Sequence, residues 1–509
     1  MVALGLGHVG ALTLLVVSPA DLKLDTLPRA YDCLRESYYG IHGGRHAFIL
    51  DEPCRTSSFS LLGLGTSIRL DSKRDGPTRR LVWLERTHVD PALYDAPFEL
   101  ELEWVLGNLT VPPSPSISRP QFESANPAPQ LVLDTAAAPE AGVFEMQIAH
   151  RAGDAVLLSA PPSVLASLDA GGIPFRFWRY SVFPKAPIPL YPVPEEAQER
   201  LRAALRNIKF DPVIASIVKG ISVPQLRRDI WHLTGEAASS DIETRHPFST
   251  GALRAAEWLR ERIEETGARC EFRHFRRRWV PNVVCTYAAS TDTAETIILG
   301  AHYDDRGSFG STRAPGANDD GSGTGALVGI ARAIASSGVV FRKRVQLVAF
   351  AGEEQGMVGS RAYAQELKKA GANITMMIQA DMLAYHADGE PPQLGLSDPA
   401  LVGTAQVTQI LANVSAIYSP ELTVGYSPYP GGSDHQRFHE YGFPSAQVYE
   451  RAGLIKDPMY HDSGDVSERD GYDFEQIKSI AKVELAAVLH IAGFDLSEGE
   501  VDPEDGDNS

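Results

Sequence analysis

The sequence has few cysteines, more acidic than basic residues, and no apolar run long enough to span a membrane. Its 509 residues include 4 cysteines, and 65 Asp and Glu residues stand against 47 Lys and Arg residues, for a formal net charge of −18. Nucleic-acid binding requires a basic face, so this balance argues against broad nucleic-acid binding. Without about 20 consecutive apolar residues, the chain has no helical membrane span. The hydrophobic fraction of 43% excludes wholesale disorder.

The longest apolar segment lies near the start, at Val9–Ala20. It ends in Ser-Pro-Ala, with small residues at the two positions that a signal peptidase reads. No Lys or Arg precedes Lys23, so the usual positive flank is missing. Two interpretations stay open: residues 1–20 are a signal peptide, or this segment is a buried N-terminal strand.

Sequons and cysteine spacing both favour export. The three Asn-x-Ser/Thr sequons, which are glycosylation candidates, are at Asn108, Asn373 and Asn413. The cysteines form two local pairs, Cys33 with Cys54 and Cys270 with Cys285. A hairpin would bring the second pair together, but four cysteines allow three pairings, and four reduced thiols remain the alternative. We expect a secreted, disulfide-containing glycoprotein, with the vacuole or another secretory lumen as the alternative location.

Residues 21–190 have the pattern of a β-rich N-terminal domain. Segment 98–104 alternates strictly between apolar and acidic residues, which predicts a half-buried strand. Further strands are predicted at the segments RRLVWLE, QLVLDT, VFEMQIAHR and AVLLSA.

A proline-punctuated linker and a helix at residues 191–214 separate this part from residues 215–495. In the second part, helical segments alternate with short apolar strands. This alternation predicts an α/β fold with a mostly parallel twisted sheet and helices on both faces. Residues 496–509 are acidic and predict a disordered tail.

In such a sheet, ligands bind at the carboxyl ends of the strands. Here these ends carry many His, Asp and Glu residues. Singly, each has an ordinary explanation as a buried histidine, a turn residue or a solvated acid. Asp381 differs, because a carboxylate that follows a buried apolar strand needs a cation or hydrogen-bond donors. The candidate site residues are His302, Asp304, Asp319, Asp320, Glu353, Glu354, Asp381, Asp434, Tyr460, His461 and Asp465.

Six segments resemble, in order, the motifs of the M28 family of zinc metallopeptidases, which includes leucine-type aminopeptidases. They are AHYDD, PGANDDGSG, AGEEQGMVGS, QADM, GGSDH and YHDSGD. The series is highly specific and covers roughly residues 215–495, but not the first 200 residues. The resemblance implies a zinc-exopeptidase-like fold and two Zn²⁺ ions as cofactors.

The resemblance also implies which residues bind the metals. His302 and Asp381 would bind one zinc, and Glu354 and His461 would bind the other. Asp319 would bridge the two ions, with a cis peptide bond to Asp320. Zinc takes such ligands and keeps a position open for water in catalytic sites.

Further roles follow from the same resemblance. Glu353 would be the general base, and Tyr460 would stabilise the oxyanion. Asp304 and Asp465 would orient the two histidine ligands. Asp434 matches the Ser-Asp-His motif, whose role is less defined.

The expected function is therefore removal of N-terminal residues from peptides by a metal-bridging hydroxide. A carboxypeptidase or a glutaminyl-cyclase-like acyl transferase on the same fold is one alternative. A non-catalytic binding ectodomain is another, but the complete ligand set argues against it. For the N-terminal domain, three roles stay open: a shielding pro-region, a substrate-restricting domain, or a module that binds another protein or a glycan.

Overall fold

The computed structural model describes residues 12–17, 32–58, 65–70, 79–94, 96–109, 146–162, 164–165, 168, 177–188, 191–308, 311–427 and 432–497. The expected strand QLVLDT and most of the candidate signal peptide lie outside these residues.

The N-terminal part contains two four-stranded antiparallel sheets. Its strands are β1 (Leu12–Val17), β2 (Tyr38–His42), β3 (Arg45–Leu50), β4 (Gly65–Leu70), β5 (Arg80–Arg86), β6 (Gln147–Ala152), β7 (Ala155–Ala160) and β8 (Trp178–Val182). The helices among its described residues are α1 (Asp32–Glu36), α2 (Glu52–Ser57) and α3 (Phe98–Leu109). The strand orders are β2-β3-β1-β4 and β6-β7-β5-β8. Leu14 and Ile68 of the first sheet share a core with Trp83 and Leu157 of the second, so the sheets pack face to face.

The strand expected at 98–104 is wrong, because this segment begins helix α3. Leu102 and Val105 are fully buried, whereas Leu100 is 60% exposed. Buried Glu101 accepts a hydrogen bond from Trp178 Nε1 at 2.7 Å. A short alternating run also contains apolar residues at helical spacing, and glutamate favours helix, so the pattern was ambiguous.

Residues 12–17 of the apolar N-terminal segment form the strand β1, as the second interpretation of this segment expects. β1 pairs with β3 on one side and with β4 on the other. Leu14, Leu15 and Val16 are buried. Cleavage after Ala20 would remove this strand and expose the edges of both of its neighbours.

The C-terminal part is built on an eight-stranded mixed sheet. Its strands and those of a small accessory sheet are β9 (Arg269–Arg273), β10 (Asn282–Tyr287), β11 (Glu295–His302), β12 (Val339–Phe341), β13 (Arg344–Phe350), β14 (Asn373–Ala380), β15 (Gln393–Ser397), β16 (Thr423–Ser427), β17 (Ser445–Tyr449) and β18 (Phe494–Leu496). The order in the large sheet is β16-β15-β17-β14-β11-β13-β10-β9. Its central strands β17, β14, β11 and β13 are parallel, and antiparallel pairing begins on either side of them.

Helices cover both faces of this sheet, as expected. They are α4 (Glu195–Leu205), α5 (Pro212–Lys219), α6 (Val223–Leu233), α7 (Thr250–Glu264), α8 (Gly321–Ser336), α9 (Val358–Lys369), α10 (Ala405–Tyr418), α11 (His435–Glu440) and α12 (Phe474–Ala492). One core joins the sheet to α6, α7, α8, α10 and α12, and a second core on the opposite face includes residues of α9 and α11.

Both expected cysteine pairs form disulfides. Cys270 on β9 lies directly opposite Cys285 on the antiparallel strand β10 and is bonded to it. Cys33 is bonded to Cys54, with their Cα atoms 5.6 Å apart.

The chain end is ordered further than expected. Leu496 of β18 pairs with Val339 of β12, and the Ser497 amide donates to Gly338 O. The remainder of the acidic tail lies outside the described residues. None of the helices described is both long enough and apolar enough to cross a bilayer.

Candidate metal centre

The candidate metal ligands lie at one edge of the sheet. His302 ends β11, the Glu353-Glu354 pair follows β13, and Asp381 follows β14 directly. These three strands are parallel, so their carboxyl ends meet at the same edge.

The Asp319 carboxylate lies between two imidazoles. Its Oδ1 is 3.2 Å from His302 Nε2, and its Oδ2 is 3.3 Å from His461 Nε2. Each histidine has a second carboxylate beside it: Asp381 Oδ1 at 3.7 Å from His302 Nε2, and Glu354 Oε2 at 3.1 Å from His461 Nε2. The five residues therefore form two groups of three that share Asp319.

The donor set fits zinc. Imidazole nitrogen and carboxylate oxygen are ligands that zinc accepts, and three protein ligands for each ion leave a position open. Glu354 Oε1 is buried without a hydrogen-bond partner among the described residues. A buried carboxylate oxygen of this kind is costly unless a cation or a donor satisfies it.

Asp320 connects the elements that carry the ligands. The peptide bond between Asp319 and Asp320 is cis, as expected. Asp320 Oδ1 caps α8 by accepting from Gly323 N at 3.0 Å, and it accepts from Met382 N at the same distance. Its Oδ2 accepts from His302 N at 3.1 Å. One buried carboxylate thus fixes the backbone at two candidate ligands and at the loop that carries a third.

Asp304 lies beside His302 but contacts it differently from the expectation. His302 Nδ1 is 3.1 Å from the backbone oxygen of Asp304 and 3.9 Å from its nearer carboxylate oxygen. The carboxylate instead accepts from Glu353 N at 3.1 Å and lies 3.4 Å from Glu354 N. The backbone carbonyl of Asp304 therefore orients the imidazole of His302. The carboxylate of Asp304 instead holds the backbone that follows β13.

Asp465 holds the loop that contains Asp319. Its carboxylate accepts from the backbone amides of Asn318 and Asp319 at 3.0 Å, and Arg469 Nη2 lies 2.9 Å away. Asp457 joins the same network, since its Oδ2 accepts from Asn318 Nδ2 at 2.7 Å. Asn318 lies within the PGANDDGSG motif, but no sequence signal singled out Asp457 or Arg469.

Arg245 is a further supporting residue that the sequence did not reveal. It is fully buried, and its guanidinium donates to Tyr303 O at 2.8 Å and to Gly316 O at 2.7 Å. It also donates to Pro315 O. It therefore joins the end of β11 to the start of the loop that carries Asp319. No motif surrounds it, so only the fold shows this role.

Glu353 lines the same cleft as the candidate metal ligands and has a perturbed pKa. Burial raises the pKa of its carboxyl well above the ordinary value, and the charges of Glu354 and Asp434 raise it further, against the opposing effect of His302. Burial also raises the pKa of Asp434 to about 7. Asp434 Oδ2 accepts from Gln379 Nε2 at 3.1 Å.

Tyr460 lies between the centre and the N-terminal part. Its ring stacks on His461, with ring centroids 3.7 Å apart, and it also faces Phe177 at 6.3 Å. His461 has φ = 55°, an uncommon conformation for a residue with a side chain. Such backbone is retained where the surrounding structure requires it, often at functional sites.

The N-terminal part lies against this centre. Arg306 Nη1 donates to Trp178 O at 2.8 Å. The amide of Ile41 donates to Glu440 Oε1 at 2.9 Å, and Glu440 is buried. Strands β5 and β8 thereby form the wall of the cleft that faces Glu353 and His461. This contact was not predictable from the sequence, because the two surfaces are far apart along the chain.

Comparisons with known proteins show what this chain is similar to. A model of peptidase family M28 matches residues 282–488. Leucine aminopeptidase 1 of Sclerotinia sclerotiorum is 28% identical over 307 residues, which are 54% of this chain and 77% of that protein. Leucine aminopeptidase 1 of Metarhizium robertsii is 29% identical over 278 residues, 51% of this chain and 68% of that protein. The crystal structure of the LapA aminopeptidase of Legionella pneumophila superposes with a TM-score of 0.51 at 21% identity, over 70% of this chain and 96% of that one, and supports the fold alone.

Proposed function

Residues 282–488 of this chain belong to peptidase family M28, and on that basis we propose that the protein is an aminopeptidase whose residues hold two zinc ions. Peptidases of this family depend on zinc. His302, Asp319 and Asp381 would hold one ion, and Asp319, Glu354 and His461 the other. The observation that carries the proposal is the Asp319 carboxylate, whose two oxygens face two different imidazoles at 3.2 and 3.3 Å.

When bound, two zinc ions supply polarisation of the scissile carbonyl and a lowered pKa for water. Glu353 would accept a proton from the attacking water and deliver it to the leaving amine. Its place in the cleft beside the candidate ligands suits both steps. The carboxylates around the centre would also attract the α-ammonium group of a substrate, which favours cleavage at the amino terminus.

Tyr460 would position and stabilise the carbonyl oxygen. It lines both pockets of the cleft together with Glu353 and His461. Its stacking on His461 holds the ring at the centre. A donor fixed in this way needs no reorganisation when negative charge develops on the oxygen.

A substrate panel tests the activity. We expect the zinc-loaded chain to hydrolyse leucine p-nitroanilide and to leave its N-acetylated form intact, because acetylation removes the ammonium group. Release of C-terminal residues from N-blocked peptides would instead show a carboxypeptidase. Full activity after exhaustive chelation would refute metal dependence.

Elemental analysis tests the ligand assignment. Asp319→Ala should lose both metals, since Asp319 faces both histidines. The matched control is Asp241→Ala, which removes a surface carboxylate with 66% of its side chain exposed. Two zinc ions retained by Asp319→Ala at wild-type affinity would contradict the shared ligand.

We also propose that the protein passes through an oxidising secretory compartment and is secreted or kept in such a lumen. Its four cysteines form two disulfides, which persist in oxidising compartments. Asn413 on α10 is exposed, whereas Asn373 is half-buried and accepts from Arg200 Nη2 at 3.3 Å. The side chain of Asn108 lies outside the described residues. Of these two glycosylation candidates, Asn413 is thus the more accessible. A mass shift on glycosidase treatment that is abolished in Asn413→Gln would support glycosylation at this residue.

A further inference from the structure

The cleft over the candidate metal centre has one wall from each part of the chain. Two adjoining pockets, of about 60 and 50 Å³, both contain Glu353, Tyr460 and His461. The opposite wall of both pockets includes Arg179 of β8. Glu85 of β5 joins this wall in the first pocket. The N-terminal part therefore contributes a charged group to the space in which a substrate would lie.

Neighbouring groups hold Arg179 in a defined position. Arg179 and Glu85 are directly opposite each other on β8 and β5. Arg179 Nε donates to Glu85 Oε1 at 2.6 Å, and Glu85 Oε2 accepts from Trp83 Nε1 at 2.9 Å. Gly432 lies so close that a Cβ atom there would be 2.7 Å from Arg179 Nη1. A guanidinium fixed in this way loses little conformational entropy when it binds an anion.

The charges of the two walls complement a short peptide with free ends. Asp319, Glu353 and Asp381 line the second pocket, and Arg179 is the single Arg or Lys among its described lining residues. We propose that Arg179 binds a carboxylate of the substrate beyond the cleaved bond, so that short peptides with a free C-terminus are preferred. This inference rests on the proposed aminopeptidase function and adds the substrate class.

The N-terminal part would then select substrates by length as well as by charge. Strands β5 and β8 line the cleft together with Glu353, so a carboxylate bound by Arg179 would belong to a residue close to the cleaved bond. A guanidinium recognises a carboxylate through paired, charge-assisted hydrogen bonds. In a dipeptide, the C-terminus supplies the carboxylate that Arg179 binds. In a peptide whose C-terminus is amidated, an acidic side chain would have to supply it.

The test compares matched substrates with the zinc-loaded full chain. Released leucine is measured for Leu-Ala and Leu-Ala-amide, and for the pair Leu-Glu-amide and Leu-Gln-amide. We expect kcat/KM for Leu-Ala to exceed that for its amide by roughly 10- to 100-fold, the range of one charge-assisted contact. Arg179→Gln should bring this ratio close to one, and Arg179→Lys should restore part of it, because lysine keeps the charge but not the paired donors.

The control variant is Arg151→Gln, which removes an exposed ion pair with Glu99 elsewhere on the N-terminal part. It should keep the wild-type ratio. A preference for Leu-Glu-amide over Leu-Gln-amide, without one for Leu-Ala over its amide, would overturn the preference for a free C-terminus and identify a side-chain carboxylate as the bound group. Equal kcat/KM values within both pairs in the wild-type protein overturn the inference, even if Arg179→Gln does not fold. Failure to hydrolyse leucine p-nitroanilide would instead refute the proposed function.

Discussion

Glu484 is a buried acid whose removal should change the pH dependence of stability. It lies on α12 with no exposed surface, and both of its carboxylate oxygens lack a hydrogen-bond partner within the described part of the chain. Burial raises its pKa from 4.5 to about 8. The folded protein therefore keeps this carboxyl protonated at pH values where the unfolded chain has ionised it.

The sign and size of the effect follow from this difference. A raised pKa in the folded state means that stability is fully present below pH 4.5 and is lost as pH rises towards 8. Each pH unit in that window lowers the free energy of unfolding by about 1.4 kcal/mol, so the whole window lowers it by on the order of 5 kcal/mol. Glutamine has nearly the same shape and does not ionise. The free energy of unfolding of Glu484→Gln should therefore exceed that of the wild type by about 3 kcal/mol at pH 7.

Urea unfolding at several pH values between 5 and 9, followed by tryptophan fluorescence at one fixed zinc concentration, measures this gain. The gain should grow up to about pH 8 and then level off. Glu475→Gln is the control, because Glu475 is exposed at the start of the same helix. A gain that is the same at every pH, or that the control reproduces, would refute the reasoning.

Three further predictions concern catalysis, acid sensitivity and the first strand. Glu353→Gln should keep its zinc by elemental analysis but lose roughly 10²- to 10⁴-fold in kcat, because it cannot transfer the proton; wild-type turnover with full zinc would contradict this role. Burial lowers the pKa of His42 and of His46 from 6.5 to about 3, so stability should fall as pH drops from 6.5 towards 3. Melting temperatures should show this fall, His46→Asn should weaken it, and an unchanged slope in that variant would count against it. Deleting residues 1–20 should lower the melting temperature, because the deletion removes β1. Deleting residues 498–509 is the control and should leave the melting temperature unchanged. Equal melting temperatures for the two deletions would contradict the interior position of β1.

The candidate metal centre was largely predictable from the sequence. His302 and Asp381 stand directly at the ends of apolar strands, and parallel strands bring such ends together. The Asp319-Asp320 pair lies in a glycine-rich loop before a helix, where a side-chain cap is expected. These signals are local in the chain, so the motif series was sufficient to assemble them.

The N-terminal part was predicted as β-rich, but two of its segments were ambiguous. The helix at Phe98–Leu109 follows from how Leu102 and Val105 pack under the sheet that contains Trp178, which a seven-residue pattern does not specify. The strand Leu12–Val17 becomes interior only because two other strands pair with its edges. In both segments tertiary packing selected one of two locally acceptable conformations.

The sequence by itself determined the candidate ligand residues, their order and the sheet edge at which they meet, because each depends on residues close together in the chain. Only the tertiary structure decided what surrounds them. It placed Arg245 between β11 and the loop of Asp319. It set the carbonyl of Asp304, rather than its carboxylate, against the imidazole of His302. It also brought Arg179 into the lining of the cleft. These contacts either join segments that are distant in sequence or depend on the direction of a side chain. Both the long-range contacts and the side-chain directions are decided only when the sheets, helices and loops pack together.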